Sequence, residues 1–174
     1  MTGATPISRS RPRDGWSGCA GTNRDWSLPI MADSRAKLAA DRDAIRDLLA
    51  RYTYNGDRGR VADLAACFAE DGVLEFPGNA PVGPAAIAAA LSSGSRDPRL
   101  TFVRHHITNP LIAVEGDSAT ARSYFTVHSD FGLDHSGTYD DRLVRTAEGW
   151  RFAHRRVRID WQAETSLFRR MTTR

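Results

Sequence analysis

The sequence predicts an α+β fold in which three N-terminal helices pack against a curved antiparallel sheet of about four long strands plus one short strand. Two observations predict it. Apolar residues in the first part of the chain recur at helical spacing, and from Leu100 onward they alternate with polar residues between turn signals. Because the helices precede the long strands instead of alternating with them, we expect the helices to cover one face of the sheet.

The first helix is predicted from a one-sided apolar stripe. Asp41 is a favourable N-cap, and the stripe that follows it has the i, i+3, i+4, i+7 spacing of a helix. Its members are Ile45, Leu48, Leu49 and Tyr52. Asn55-Gly56 is predicted to end this helix.

A second helix is predicted from Val61, Leu64, Ala65 and Phe68, with Gly72 as its C-cap. Residues 73–76 follow as a short strand. A loop rich in proline and glycine leads to Pro84, which is predicted to start a third, alanine-rich helix over 84–91.

Four long strands are predicted over 100–114, 118–128, 136–146 and 150–161. Glu115-Gly116-Asp117, a looser 130–134 stretch and Ala147-Glu148-Gly149 are typical hairpin connections. Asn109-Pro110 predicts a bulge in the first of these strands, since proline cannot donate to a sheet ladder.

The charge distribution divides the 174 residues into a body and two ends. Residues 1–37 carry a net charge of +3 and residues 162–174 a net charge of +2, whereas 38–161 carry −2. We therefore predict an N-terminal tail over 1–37, one domain over 38–161 and a basic C-terminal tail over 162–174. The composition of the N-terminal tail predicts disorder, and Met31 is a second plausible start.

Composition also excludes several classes of protein. The pI of 9.2 comes from the ends, so the body has no basic excess for nucleic-acid binding. No apolar run approaches the roughly 20 residues of a membrane span, and the N-terminus lacks the apolar core of a signal peptide. Cys19 and Cys67 form no disulfide framework, and Cys67 is expected to be a small buried residue. These features favour a cytoplasmic protein.

Four segments of the body carry a family resemblance. They are RYTYNGDRGRVADLAACFAEDGVLEF, RHHITN, VEGDSATARSYFTV and SGTYDDRLVRTAEGWRFAHRRV. Together they resemble the SnoaL-like group of the nuclear transport factor 2-like superfamily, which includes scytalone dehydratase. The resemblance implies a cone-shaped α+β domain, and it leaves the activity open because this fold hosts many chemistries.

Asp57 and His105 are the predicted catalytic residues. In the scytalone dehydratase and hexachlorocyclohexane dehydrochlorinase families, the matching aspartate and histidine form a dyad. The resemblance implies that Asp57 orients and polarises His105, which moves a proton beside a carbonyl or a leaving group. Imidazole titrates near neutral pH, and a neighbouring carboxylate sets its tautomer and raises its basicity. The alternative is a purely structural pair that joins helix to sheet.

The register of the first long strand decides which histidine serves the site. His106 points to the face opposite His105, so a shift of one residue would exchange their roles. A His-His metal site is therefore not expected, and the predicted metal set is none. His128 shares a face with Tyr124 and is a further candidate for ligand contact.

The other predicted substrate-binding residues are Tyr52, Tyr54, Phe76, Asn109, Tyr124 and Tyr139. Asn109 shares the His105 face of an unbroken strand, and the tyrosine hydroxyls could polarise a carbonyl. Scytalone dehydratase holds its catalytic water with two tyrosines, and Gly56 and Phe76 occupy their positions here. The absence of these two tyrosines argues against scytalone dehydratase activity.

The leading prediction is a cofactor-independent lyase or isomerase, such as a dehydratase, cyclase or eliminase, that acts on a small hydrophobic cyclic molecule in an enclosed pocket. The alternative is a non-catalytic small subunit or ligand-binding module that resembles the β component of ring-hydroxylating dioxygenases. No cofactor, nucleic acid or membrane partner is expected. By analogy of fold, the chain is expected to form a homodimer or homotrimer.

Overall fold

A computed structural model describes residues 29–93 and 97–168. These residues form three helices and five strands, in the order along the chain that the sequence predicts. The strands form one sheet in the order β1-β5-β4-β3-β2, and the sheet is curved and not closed. Most of the predicted N-terminal tail and the last six residues lie outside the described residues.

The first helix, α1, spans Pro29–Asp57 and buries the predicted stripe. It begins well before Asp41, so the N-cap prediction was wrong, and residues 29–37 of the predicted tail are helical. Asp41 lies inside α1 with its carboxylate buried against the sheet, where it pairs with Arg145 (2.7 Å) and accepts a bond from Trp150 Nε1 (3.3 Å). A long-range ion pair explains this aspartate better than a helix cap.

The second helix is shorter than predicted, and the first strand is longer. Helix α2 spans Val61–Ala65 and strand β1 spans Phe68–Glu75. Gly72 therefore lies in a strand and is not a C-cap. The pairing of β1 is irregular there, and a Cβ atom at Gly72 would lie 2.6 Å from the Phe152 carbonyl oxygen. Close approach of the backbone at Phe152 accounts for the glycine.

The remaining elements are of the predicted type and order, although the strand predicted over 136–146 begins four residues earlier, at Gly132. Helix α3 spans Pro84–Ser92, and the four long strands form an antiparallel meander. Their bounds are β2 Val103–Glu115, β3 Ser118–Ser129, β4 Gly132–Thr146 and β5 Gly149–Gln162. Strand β1 pairs in parallel with β5, so the sheet is mixed.

The bulge predicted at Asn109-Pro110 is present. The β2–β3 register shifts between Thr108 and Leu111, and Asn109 has a φ of 52°. Asparagine is one of the few residues other than glycine that adopt this left-handed conformation readily. The bulge bends the edge strand and interrupts its alternation beyond Thr108.

The core lies between the helices and the concave face of the sheet. Tyr52 packs edge-on against Phe68 and Phe152, with ring centroids 6.0 and 5.7 Å away. Cys67 is buried in the same core, as predicted. The chain then continues past β5, and residues 163–168 fold back over the start of β4 through a bond from the Ala163 amide to the Asp134 carbonyl (2.7 Å).

Candidate functional site

Asp57 and His105 meet where α1 ends against the edge strand β2. The Asp57 carboxylate lies 2.6 Å from His105 Nδ1 and also accepts the His105 backbone N–H at 3.1 and 3.2 Å. The Asp57 side chain is 6% exposed and the His105 side chain 21% exposed. A carboxylate on Nδ1 favours the tautomer with hydrogen on Nδ1, which leaves the Nε2 lone pair available as a base.

The strand register directs His105 toward the helices and His106 toward solvent. On β2, Val103, His105 and Ile107 are buried or partly buried, whereas Arg104, His106 and Thr108 are exposed. His105 pairs with Val127, whose side chain is also on the concave face. The observed register of β2 therefore places His105, and not His106, beside Asp57.

An open groove of about 550 Å³ leads to the pair. It runs between the C-terminal half of α1 and the first half of β2, and Asp57, His105 and Tyr54 contribute to its lining. The sequence predicts an enclosed pocket, but this groove opens along the sheet edge, because β2 has no further strand beside it among the described residues.

Tyr52, Tyr139 and Phe76 belong to the interior. Tyr139 stacks on Phe125 with centroids 4.3 Å apart, and Phe76 packs partly buried against the core. Burial raises the pKa of both tyrosine hydroxyls, so they are neutral groups at physiological pH. The Arg155 guanidinium lies 4.2 Å from each tyrosine ring.

Tyr54 and Asn109 are more peripheral than predicted. Tyr54 is 52% exposed at the wall of the groove, with the Arg58 guanidinium over its ring at 3.4 Å. Asn109 is exposed in the bulge, and its left-handed backbone removes it from the face that His105 occupies. Its predicted place beside His105 was wrong because the alternation stops at the bulge.

Tyr124 and His128 lie on the opposite face of the sheet from the Asp57–His105 pair. Both are exposed, while their neighbours Phe125 and Val127 are buried. The His128 ring packs against His106 with centroids 5.2 Å apart. The structure therefore does not bring these two predicted substrate-binding residues to the Asp57–His105 pair, since alternate residues of a strand point to opposite faces.

A second aspartate–histidine pair was missed by sequence reasoning. Asp134 Oδ1 lies 2.7 Å from His135 Nδ1, and both side chains are almost fully buried. The strand predicted from the sequence begins at Ser136 and leaves His135 outside it, in the connection before the strand. Strand β4 begins at Gly132, and His135 then shares the concave face with Tyr139 and Asp141. The even spacing of His135, Tyr139 and Asp141 along the chain was the signal in the sequence that could have placed His135 on this face.

A metal centre has little support in the described part of the chain. Across residues 29–93 and 97–168, no three His, Cys, Asp or Glu side chains are grouped closely enough to hold an ion. Within the same residues, no helix combines the length and apolar character that a membrane span needs.

The family follows from comparison with known proteins. The model of the SnoaL-like domain matches residues 37–156. The chain belongs to the SnoaL-like family. No curated protein matches it. This family includes cofactor-independent isomerases, cyclases and dehydratases.

Solved structures agree on the fold. A variant of Rv3472 from Mycobacterium tuberculosis, a protein of unknown function, is 33% identical, with a TM-score of 0.61 and 76% of each chain covered. An NTF2-like protein with a cystatin-like fold from Novosphingobium aromaticivorans is 29% identical, with a TM-score of 0.70 over 82% of this chain and 94% of that one. ActVI-ORFA from Streptomyces coelicolor is 27% identical, with a TM-score of 0.62 over 68% of this chain and 96% of that one.

Proposed function

We propose that this SnoaL-like protein is a cofactor-independent lyase or isomerase that moves a proton on a small hydrophobic cyclic molecule. The observation that carries the proposal is the 2.6 Å contact between Asp57 and His105 Nδ1 at the end of an open groove. The contact leaves Nε2 of His105 as the base. In this proposal, Nε2 removes a proton from a carbon beside a carbonyl or a leaving group.

Asp57 acts through His105. When Nε2 takes a proton, the imidazole becomes a cation, and the carboxylate 2.6 Å away stabilises it. The two bonds from the His105 backbone amide keep the carboxylate in place, so little reorganisation accompanies the transfer. Because Asp57 is buried, water screens this interaction only weakly.

Family membership supports the class of reaction but not a named substrate. Gly56 and Phe76 stand where scytalone dehydratase has its water-holding tyrosines, and neither side chain can donate a hydrogen bond. The proposal is therefore restricted to proton abstraction by the Asp57–His105 pair and does not extend to dehydration of scytalone.

The experiment measures exchange of carbon-bound hydrogen. The probe is 2-tetralone, a small bicyclic ketone with acidic C–H bonds beside its carbonyl, incubated in D₂O and followed by ¹H NMR. The native protein is expected to accelerate the loss of these signals over buffer. His105→Ala should abolish the acceleration, and Asp57→Asn should reduce it by about 100-fold or more, the usual range for a positioned base.

His128→Ala is the matched control, because it removes an exposed histidine from the other face of the sheet. It should exchange 2-tetralone at the native rate. Thermal unfolding establishes that each variant is folded. Native protein with no exchange above buffer, or full activity in folded His105→Ala, would contradict the proposal.

We further propose that the chain assembles as a homodimer or homotrimer. The outer face of the sheet carries large exposed side chains, including Leu111 at 73% and Tyr124 at 56% exposure. Apolar area of this kind favours association. Sedimentation equilibrium measures the assembled mass directly, and a monomer at all concentrations would contradict this proposal.

A further inference from the structure

The groove beside the Asp57–His105 pair carries an excess of positive charge. Arg46, Arg58 and Arg104 line it, and Asp57 is the only carboxylate among the described residues that do so. The Asp57 oxygens already face Nδ1 and the backbone N–H of His105. Because residues 38–161 carry a net charge of −2, the groove is a positive region on a slightly negative domain, and such a region attracts anions.

Two of these arginines adjoin the pair in sequence. Arg58 directly follows Asp57 at the end of α1, and Arg104 directly precedes His105 on β2. Consecutive Cα atoms are about 3.8 Å apart, so both arginines are at the end of the groove where the pair lies. Arg104 leaves the outer face of β2 but still lines the groove, because β2 is the edge strand. At a helical rise of about 1.5 Å per residue, Arg46 lies roughly 16 Å before Asp57 along α1.

The charges of Arg58 and Arg104 are not compensated. Across the described parts of the chain, neither arginine forms an ion pair with a carboxylate. The outer face of the sheet has a groove that is also lined by arginines, but there Arg122 and Arg156 each have a carboxylate partner. Two unpaired cations therefore distinguish the groove at Asp57 from the groove on the outer face.

The guanidinium of Arg58 is held at the groove wall with donors free. It lies over the exposed Tyr54 ring, 3.4 Å from the centroid, and its bond to the Tyr54 carbonyl is long at 3.5 Å. Arg104 Nη1 donates to the Val103 carbonyl at 2.7 Å, which leaves its other N–H groups for a ligand. The negative end of the α1 dipole accounts for a cation at Arg58 but not for a second one from β2.

We propose that Arg58 and Arg104 bind an anionic oxygen group, a carboxylate or a phosphate, carried by the cyclic substrate. This inference rests on the proposed function, since it adds an anionic anchor to the molecule whose proton His105 removes. Guanidinium groups match both anions through paired N–H donors. The substrate class narrows to hydrophobic ring compounds with a negatively charged substituent, and the anchor determines which end of the ring faces His105.

The test compares naphthalene probes that differ in charge. The anionic probes are 2-naphthoate and 2-naphthyl phosphate, and the neutral probe is 2-naphthamide, which has nearly the shape of the carboxylate. Dissociation constants come from fluorescence titration of the full chain at low salt. Native protein should bind the anions tighter than the amide by roughly 10-fold or more, the worth of one hydrogen bond to a charged group. The tighter of the two anions identifies the preferred group.

Substitution of the arginines locates the anion. Arg58→Gln and Arg104→Gln should each reduce the preference for 2-naphthoate over 2-naphthamide by roughly 3-fold or more, and the double variant should remove it. Arg46→Gln is the matched control, since it removes the same charge from the same helix but lies far from the pair and is bonded to Asp43 at 2.8 Å. It should keep the native preference. All three side chains are exposed, and thermal unfolding establishes that the variants are folded.

Two measurements on native protein do not depend on the variants. Added salt should weaken the binding of both anions and leave the affinity for 2-naphthamide unchanged, because exposed charges are screened. In ¹⁵N NMR, 2-naphthoate should shift the Nε resonances of Arg58 and Arg104 and leave that of Arg46 in place.

Equal affinity of native protein for 2-naphthoate and 2-naphthamide, or a preference that survives in the double variant, would overturn the inference. An equal loss in Arg46→Gln, or binding of all three probes weaker than about 1 mM, would also overturn it. If the 2-tetralone exchange fails while the anion preference is present and depends on Arg58 and Arg104, the proposed reaction is wrong and the anion site stands. Exchange without the preference removes the anion site alone.

Discussion

At the scale of single residues, the interior of this domain contains an ion pair whose two side chains are both fully buried. Arg155 donates to both oxygens of Asp141 at 2.8 and 2.7 Å, and neither side chain is exposed. Arg155 Nη1 has no hydrogen-bond partner among the described residues, but Tyr52, Tyr139 and Phe152 surround the guanidinium at 4.1 to 4.2 Å. The faces of these rings stabilise the cation.

Removing one charge of the Asp141–Arg155 pair should be far more costly than removing a surface charge. Asp141→Asn leaves the guanidinium buried and uncompensated, and we expect a loss of about 3–5 kcal/mol in the free energy of unfolding. Asp140 is the matched control, since it is the preceding residue on the same strand and pairs with the exposed Arg122. Asp140→Asn should cost less than about 1 kcal/mol.

Urea denaturation of both variants measures these differences. A loss for Asp141→Asn no larger than the loss for Asp140→Asn would show that the buried pair does not determine stability. Asp141→Leu combined with Arg155→Met should recover part of the loss, because it removes both charges and retains volume.

At the scale of elements, strand β4 organises the concave face. Its inward residues include His135, Gly137, Tyr139 and Asp141, which bring together the second histidine, the stacked ring and the buried acid. The β4–β5 register shifts between Ser136 and Gly137. This irregularity lets β5 approach β4 closely at Gly137 and increases the local twist of the sheet.

A side chain at Gly137 should disrupt this approach. A Cβ atom there would lie 1.9 Å from the Arg158 carbonyl oxygen and 3.0 Å from the Phe125 ring. Because the first of these contacts is with backbone, Gly137→Ala should destabilise the protein by about 2 kcal/mol or more. Ser136→Ala, one residue earlier and less buried, should change the stability by less than about 0.5 kcal/mol.

Thermal and urea unfolding of the two β4 variants would measure the effect. A folded Gly137→Ala protein with native stability would mean that the two strands can separate at this point without cost.

At the scale of the whole molecule, Asp41 joins the helical layer to the sheet. Its carboxylate in α1 pairs with Arg145 of β4, accepts a bond from Trp150 of β5, and is 3.2 Å from Lys37 Nζ. The Arg145 guanidinium beside Asp41 is the main group that holds the pKa of this carboxyl well below its usual range, and burial opposes it.

The lowered pKa of Asp41 gives the stability a defined pH dependence. A carboxyl group with a depressed folded-state pKa stabilises the fold above its ordinary pKa and loses that contribution as the pH falls. Asp41→Asn should therefore be less stable than native protein by about 2 kcal/mol at neutral pH, and the gap should narrow below about pH 4.

Asp43 on the same helix provides the control, because its pair with Arg46 is exposed. Asp43→Asn should show almost no difference from native protein at either pH. If the gap between native and Asp41→Asn stays constant in acid, the Asp41 pairing does not link the two layers as argued.

Much of the fold could be predicted from local signals. The stripe Ile45, Leu48, Leu49 and Tyr52 is buried where its period places it, and each predicted hairpin joins the strands predicted on either side of it. Such patterns depend only on residues that are close together in the sequence. Asp41 and Gly72 were misassigned as helix ends because their partners, Arg145 and Phe152, are distant in sequence.

The candidate site likewise combines features that the sequence indicates with features that depend on partners distant in sequence. Asp57 and His105 could be named from the resemblance, but their 2.6 Å contact and the inward register of His105 required the packed helix and strand. Tyr124, His128 and Asn109 lie away from the face that His105 occupies, and this depends on which face of β3 is buried and on where the bulge falls in β2.

The sequence by itself determined the fold class and the order of elements, because hydrophobic periodicity and turn residues act locally. It also indicated the family, through the resemblance of four segments of the body. The tertiary structure alone decided which polar residues enter the concave interior. His135 is part of this interior because β4 begins at Gly132. The Phe125 ring contacts the imidazoles of both His135 and His105 there. A strand start that differs by a few residues changes no local pattern, yet it determines which side chains share a buried face.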